Sequence, residues 1–213
     1  MLWALEELGL PYELHLLPFP PRERAPEYLS INPLGTIPAV RDGDALMTES
    51  TAIVQYLVTR HAPNDLLVPV ADPAYGAWLN WLYFGEATLT FPQTLVLRYR
   101  QLEPGRAEHV ADDYARWFMS RLRQVDRHLQ TQPWLCAGRF TAADISVGYA
   151  LLLANYLALS ARFTPTVVEY WARLSSRPAF LAAKRAQLGD LAGELASREQ
   201  ERLQTLQGKP HAR

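Results

Sequence analysis

The chain has 213 residues, 49% of them hydrophobic and 20% charged, with a net charge of −1. That is the composition of a globular protein with a real core, and it supplies no overall field to recruit nucleic acid or anionic lipid. Cys136 is the only cysteine and the five histidines lack ligand spacing, so neither an intrachain disulfide nor a metal is expected.

No apolar run approaches membrane-spanning length, and the first ten residues lack the basic region of a signal peptide. A cytoplasmic protein with no membrane partner is the expectation. Lysine occurs twice, at Lys184 and Lys209, a bias toward arginine that suggests a GC-rich, bacterial genome. Charge is uneven: residues 1–64 hold eight acids and four arginines, a net −4 that leaves +3 for the rest.

Leu2, Leu5 and Leu8 recur at helical spacing, and Gly9 suits a helix C-cap. Tyr12 to Leu16 alternates like a half-buried strand. Pro18, Pro20 and Pro21 break regular structure, and Pro26 starts a short helix ending near Ser30. Ile37 to Arg41 and Leu46 to Thr48 read as antiparallel strands joined at Asp42-Gly43. From Ser50, the residues Ile53, Tyr56, Leu57 and Arg60 predict a helix with one apolar face, ended at Ala62-Pro63-Asn64.

Beyond Pro73 strands vanish. Tyr75, Trp78, Leu79, Leu82 and Tyr83 mark a long helix, closed by a turn at Glu103-Pro104-Gly105. Val110, Tyr114, Trp117, Phe118, Leu122, Val125 and Leu129 mark a second. A third, from Ile145 through Gly148 and Leu152 to Tyr156, is apolar over much of its circumference and therefore central. Val167, Tyr170, Trp171 and Leu174 mark a fourth, and Pro178 opens a fifth. The change of periodicity predicts an α/β unit over 1–64, a linker over 65–72, an all-helical unit over 73–193 and a polar tail over 194–213.

Two stretches suit a grip on a small anionic peptide by its backbone: Asn32-Pro33-Leu34-Gly35-Thr36-Ile37-Pro38 and Met47-Thr48-Glu49-Ser50-Thr51. A helix opening at Glu49-Ser50 presents free N–H groups and a positive dipole end, where a carboxylate fits. Ser50 can donate its hydroxyl and N–H, and Glu49 can accept from an ammonium. Simple helix capping explains the same serine. Thr141 and Asp144 read as N-cap and N3 of a capping box, with Phe140 and Ile145 as its hydrophobic staple. Cys136, with neither a helix N-terminus nor a base beside it, reads as unreactive.

These residues carry a resemblance. Leu2-Trp3-Ala4-Leu5-Glu6-Glu7-Leu8-Gly9-Leu10-Pro11-Tyr12 is similar to the first helix and second strand of the cytosolic glutathione transferases. Asn32-Pro33, Gly35 and Ile37-Pro38 resemble that family's glutathione loop, and Glu49-Ser50, Ala52-Ile53 and Tyr56-Leu57 the start of its third helix. Gly138, Thr141 and Ala143-Asp144 resemble the buried cap of its second domain. The resemblance spans nearly the whole chain in the right order.

It implies an α/β thioredoxin-like N-terminal domain followed by an all-α C-terminal helical bundle, homodimeric, with glutathione as co-substrate on the first domain. A small hydrophobic electrophile would sit between the domains and take glutathione sulfur, as in detoxification. It implies a cis peptide at Ile37-Pro38, whose backbone would pair like a strand with the cysteinyl group of glutathione. Glu49 and Ser50 would hold the γ-glutamyl end. Thr36 stands where many members carry Lys or Gln for the glycyl carboxylate, and is shorter; Arg22 or Arg24 could supply that charge or simply be solvated. Trp78 and Leu82 belong to the core stripe of their helix, which leaves Trp81 and Phe84 as pocket or dimer candidates.

The family's sulfur-activating Tyr, Ser or Cys follows a first strand that this chain does not contain, so the catalytic residue stays unassigned. The expected explanation is a natural start about 20 residues upstream, as the resemblance implies. Folded as it stands, the chain should show a distorted or domain-swapped N-terminal half. Two other functions remain open: glutathione-dependent isomerisation, dehalogenation or ether cleavage on the same site, and a non-catalytic binding module.

Overall fold

In the computed structural model, which describes residues 1–188, helix α1 runs Leu2–Leu8 and stops at Gly9, whose φ is 62°. The polar tail expected at 194–213 lies outside the described residues. Trp3, Ala4 and Leu5 are buried, as the leucine spacing requires.

The strand expected at Tyr12 to Leu16 does not form. Tyr12 and Leu16 are exposed, and no backbone group from 12 to 16 is hydrogen-bonded within the described residues. Alternation gives a strand its two faces but not its partner, and an unpaired strand is not stable in water. The sheet among the described residues is a two-stranded ribbon, β1 Val40–Asp42 with β2 Ala45–Met47. It turns at Gly43, as Asp42-Gly43 predicts, with Val40 opposite Met47. β1 is shorter than expected and begins only at Val40, because Pro38 has no N–H to give a ladder; β2 has the expected length, one residue earlier. The N-terminal half is thus irregular between Leu10 and Val40 apart from a short helix α2, Pro21–Arg24, and a 3-10 turn, Pro26–Ser30.

Helix α3, Ser50–Arg60, packs Ile53 and Leu57 against Leu5 of α1. The segment 65–72 that follows is irregular but tightly held. Leu66 and Val68 are buried, Leu66 O accepts from Ala142 N (3.0 Å), and Arg139 donates to Asp65 O and Leu67 O.

The long helix starts as α4, Tyr75–Tyr83, and continues without a break to Leu102. Two stretches of it, Phe84–Thr90 and Arg98–Leu102, widen to π-helix on either side of α5, Phe91–Leu97. A π turn strands carbonyls that need other partners. Ser146 Oγ donates to Leu82 O (2.7 Å), Thr90 Oγ1 to Gly85 O (2.9 Å), and Gln93 Nε2 to both Leu89 O and Ala150 O (3.0 Å each). Gly85 permits the close approach: a β-carbon there would lie 2.6 Å from Ser146 C and 2.7 Å from Val147 N.

Helix α6, Glu108–Leu129, faces that helix with Ala111, Ala115, Phe118, Leu122, Val125 and Leu129. Trp117, expected on the same stripe, is 42% exposed; the seam runs one position aside, through small alanines that let the helices close up. Helix α7, Ala142–Tyr156, is central, and α8, Pro165–Ser175, and α9, Pro178–Leu188, pack around it and α1. The predicted capping box is formed. Thr141 N donates to Asp144 Oδ2 (2.8 Å), and Thr141 Oγ1 accepts from Ala143 N (3.3 Å). Asp144 Oδ1 also accepts from Leu135 N (3.2 Å) and Tyr170 OH (2.8 Å), so one buried carboxylate ties three segments.

The two parts share one core. Trp3 of α1 lies against Phe140 and Phe180, and Gly148 of α7 faces its ring. Glu7 takes a two-pronged ion pair from Arg177 (2.6 and 2.8 Å), whose guanidinium stacks on Phe140.

Candidate functional site

The ribbon decides what comes together. Its ladder begins at the Val40–Met47 pair, so the chain entering β1 and the chain leaving β2 toward α3 run from the same end. The two sequence stretches singled out as a peptide grip therefore emerge at one end of one hairpin.

The first stretch is a braced loop. Asn32 is buried at 3% exposure, and its Nδ2 donates to Thr36 O (2.8 Å) and Thr36 Oγ1 (3.0 Å), while its Oδ1 accepts from Leu34 N (3.1 Å). Tyr28 OH donates to Thr36 O (2.7 Å), and Arg22 Nη2 to Leu34 O (2.7 Å). Gly35, at φ 61°, leaves only 3.0 Å between a would-be β-carbon and both Arg22 Cβ and Leu29 Cδ2. The loop thus needs glycine for its backbone and for space. The Ile37-Pro38 peptide is cis, Ile37 is 50% exposed, and its N–H and C=O have no partner among the described residues.

The second stretch is the start of α3. Glu49 stands at the N-cap with extended backbone and makes no side-chain cap. The first intrahelical bond runs from Ile53 N to Glu49 O (2.9 Å), which leaves the N–H groups of Ser50, Thr51 and Ala52 open. Ser50 Oγ donates to Glu86 Oε2 at 3.3 Å, across from the first π stretch of the long helix. The Glu86 carboxyl is raised above the usual carboxylate range by burial; the Ser50 hydrogen bond works against the rise and the Glu49 charge adds to it. The Tyr149 phenol on α7 is raised too, by desolvation and then by the charge of Glu86. An anion-accepting helix end thus faces a polar wall from the helical part.

Residues 1–65 match the family model described as glutathione S-transferase, N-terminal domain. Glutathione S-transferase 3 of Zea mays is 31% identical over 187 residues, covering 83% of each protein. Glutathione S-transferase 4 of Zea mays is 30% identical over 211 residues, covering 94% of this chain and 91% of the relative.

The chain belongs to the glutathione S-transferase family.

A glutathione transferase from Phanerochaete chrysosporium, solved with oxidized glutathione, superposes with a TM-score of 0.77 at 28% identity, covering 87% of this chain and 89% of that one. The fold of this glutathione S-transferase family member is therefore thioredoxin-like domain plus helical domain, with the sheet reduced here to one ribbon.

Of the predicted site residues, Ile37, Pro38, Glu49 and Ser50 stand at the hairpin end described above. Thr36 stands beside them, its hydroxyl turned to Asn32 inside the loop. Arg22 is a loop brace, and Arg24 is exposed. Trp78 and Leu82 are core, as expected. Trp81 is not a pocket residue: it is 6% exposed, its ring edge-on to the half-buried Phe84 (5.2 Å) and tilted against His128 of α6 (5.1 Å). Trp81 lies three residues after Trp78 in the regular helix Tyr75–Tyr83, which puts both on the buried face. Cys136 is buried and its thiol is pushed up by burial, so it is a core residue.

Sequence reasoning missed Tyr28, Asn32 and Glu86. Asn32 lay in plain view within the loop motif. Tyr28 carried no signal beyond an aromatic in a short helix, and Glu86 none at all, since its partner is 36 positions away.

Proposed function

We propose that this protein is a glutathione transferase that adds glutathione sulfur to small hydrophobic electrophiles. The observation that carries the reading is the hairpin, with an unpaired Ile37 backbone on the chain entering it and the open N-terminus of α3 on the chain leaving it. That pairing offers a strand edge for a peptide and a dipole end for a carboxylate, spaced by one two-stranded ribbon.

In this reading Ile37 N–H and C=O pair with the cysteinyl backbone, and Pro38 holds Ile37 out toward the ligand. Ser50 donates its hydroxyl and N–H to the γ-glutamyl carboxylate, Glu49 accepts from the neighbouring ammonium, and Thr36 borders the glycyl end. The bound thiol, as thiolate, attacks the electrophile; a carbon–sulfur bond forms and the leaving group departs with its electron pair. The same reading divides the chain into a glutathione-binding domain at 1–64, a linker at 65–72 and a helical domain at 73–193. It makes the protein a cytoplasmic homodimer. Among the described residues no helix is long and apolar enough to cross a membrane.

The test is a calorimetric titration with glutathione of the wild type and of Glu49→Ala/Ser50→Ala, followed by an assay with an activated aryl chloride. Saturable binding that disappears in the double variant supports the site. Folded protein that binds no glutathione refutes it, and binding without turnover of any electrophile favours a non-catalytic module.

A further inference from the structure

The far end of α3 opens onto a cavity of about 570 Å³, within the roughly 300–1,000 Å³ typical of small-molecule sites. Its walls come from α1, from the segment that follows α3, and from Arg139, Phe140 and Arg177 of the helical part. The 11 residues of α3 put it about 16 Å from the open helix start at Ser50, so it is no part of the proposed glutathione site. Leu8, Pro63, Leu66 and Phe140 make its apolar wall. The polar wall can be settled group by group. Glu7 is fully engaged: Oε1 accepts from Trp3 Nε1 (2.8 Å) and Arg177 Nε (2.6 Å), and Oε2 from Arg177 Nη2 (2.8 Å). Arg139 commits Nε to Asp65 O (3.1 Å) and Nη2 to Leu67 O (2.9 Å). Among the described residues, Nη1 of both arginines and the ring of His61 have no hydrogen-bond partner.

Arg139 is the unusual member. A half-buried guanidinium is costly until a counter-charge meets it. This one rests on backbone carbonyls, and among the described residues no carboxylate lies within ion-pair distance of it. Glu7 and Arg177 cancel each other. Asp65, the other acid of the wall, is exposed, where solvent screens its charge. The carbonyl end of α3 would repel an anion. Asn64 covers it, its Nδ2 donating to Val58 O (2.8 Å) and His61 O (3.1 Å). The capacity left over is therefore mainly donor capacity, set beside an apolar wall.

We propose that this cavity is a second ligand site, separate from the glutathione site, for a small aromatic oxyanion such as an aryl phosphate. The oxyanion takes the free Nη1 groups of Arg139 and Arg177, with the His61 ring at the rim. Planar guanidinium groups suit an oxyanion better than a point charge does. The aromatic body lies along Leu8, Pro63 and Leu66. Because the walls come from both parts of the chain, the bound ligand bridges them and stabilises the folded protein by mass action.

The experiment is calorimetry on the full chain with phenyl phosphate, and with phenol as the uncharged control. The wild type should bind one equivalent of phenyl phosphate, and phenol about tenfold or more weakly, the scale of a charge-assisted hydrogen bond. Arg139→Gln removes the charge and should weaken phenyl phosphate about tenfold. Arg139 also holds the backbone at 65–67, so His61→Ala is the second variant: its side chain is exposed and holds no hydrogen bond among the described residues. It should weaken phenyl phosphate about threefold or more. Glu49→Ala/Ser50→Ala should bind phenyl phosphate as the wild type does. A folded wild type without saturable binding, or phenol bound as tightly as its phosphate, overturns the assignment. So does wild-type affinity in either Arg139→Gln or His61→Ala. Binding lost in Glu49→Ala/Ser50→Ala would place the anion at the start of α3 and overturn it as well.

Discussion

Asn32→Ala separates the fold of the loop at 32–38 from the fold of the protein. Asn32 is 97% covered, yet its side chain hydrogen-bonds only within its own loop, to Thr36 O, Thr36 Oγ1 and Leu34 N. The three bonds are not equally costly to lose. Thr36 O keeps its bond from Tyr28 OH (2.7 Å), and Thr36 and Leu34 are exposed, so water can replace the other two. At about 0.5–1.5 kcal/mol per bond, with one acceptor still served, the net cost is about 2 kcal/mol. That cost falls on the order of residues 32–38. If the loop must be ordered to present Ile37, glutathione affinity drops by up to about thirtyfold, since each 1.4 kcal/mol is tenfold. Urea unfolding followed by tryptophan fluorescence gives the stability change, and calorimetry gives the affinity. Tyr28→Phe, which leaves Thr36 O on Asn32, should have the smaller effect in both. Wild-type affinity in Asn32→Ala would refute the claim that this brace presents the Ile37 edge.

Three further outcomes follow from the packing. Thr141→Ala removes the acceptor for Ala143 N at a fully buried N-cap and should cost about 1–2 kcal/mol in urea unfolding; a change within about 0.3 kcal/mol would contradict the capping role. Gly85→Ala places a β-carbon 2.6 Å from the Ser146 carbonyl carbon, so α7 or the long helix must move, at about 1–3 kcal/mol. A Gly85→Ala protein as stable as wild type would mean that the π stretch is not pinned there. Asp144 is held up to about 6 by burial against an ordinary 3.8, so its contribution is intact below pH 3.8 and falls by about 3 kcal/mol as pH climbs through that interval. The stability advantage of wild type over Asp144→Ala should therefore shrink as pH rises from about 4 to about 7, and an advantage that grows would reverse the sign of the argument.

The helices of the second domain were legible because a buried stripe repeats at every turn, as Phe118, Leu122, Val125 and Leu129 do on α6. Tyr12 to Leu16 shows the limit of the same logic for strands. A helix satisfies its backbone within itself, whereas a strand needs a neighbour that periodicity does not supply. Trp81 shows a second limit. Three residues after Trp78, it lies on the same buried face of a regular helix, and its cover includes His128 of α6, a contact that no local pattern announces.

The candidate site divides along the same line. Ile37, Pro38, Glu49 and Ser50 were readable because local rules speak at those positions: a proline before a short strand, an open helix end after one. The hairpin that brings the two stretches to one end follows from a two-residue turn, which is also local. Glu86 obeys no local rule. Its carboxylate matters only because a glycine lets one helix settle on another, and because that settling carries the next residue to the far side of the domain boundary. Residues that hold a backbone are written where the backbone is made. Residues that tune the charge around it depend on tertiary packing.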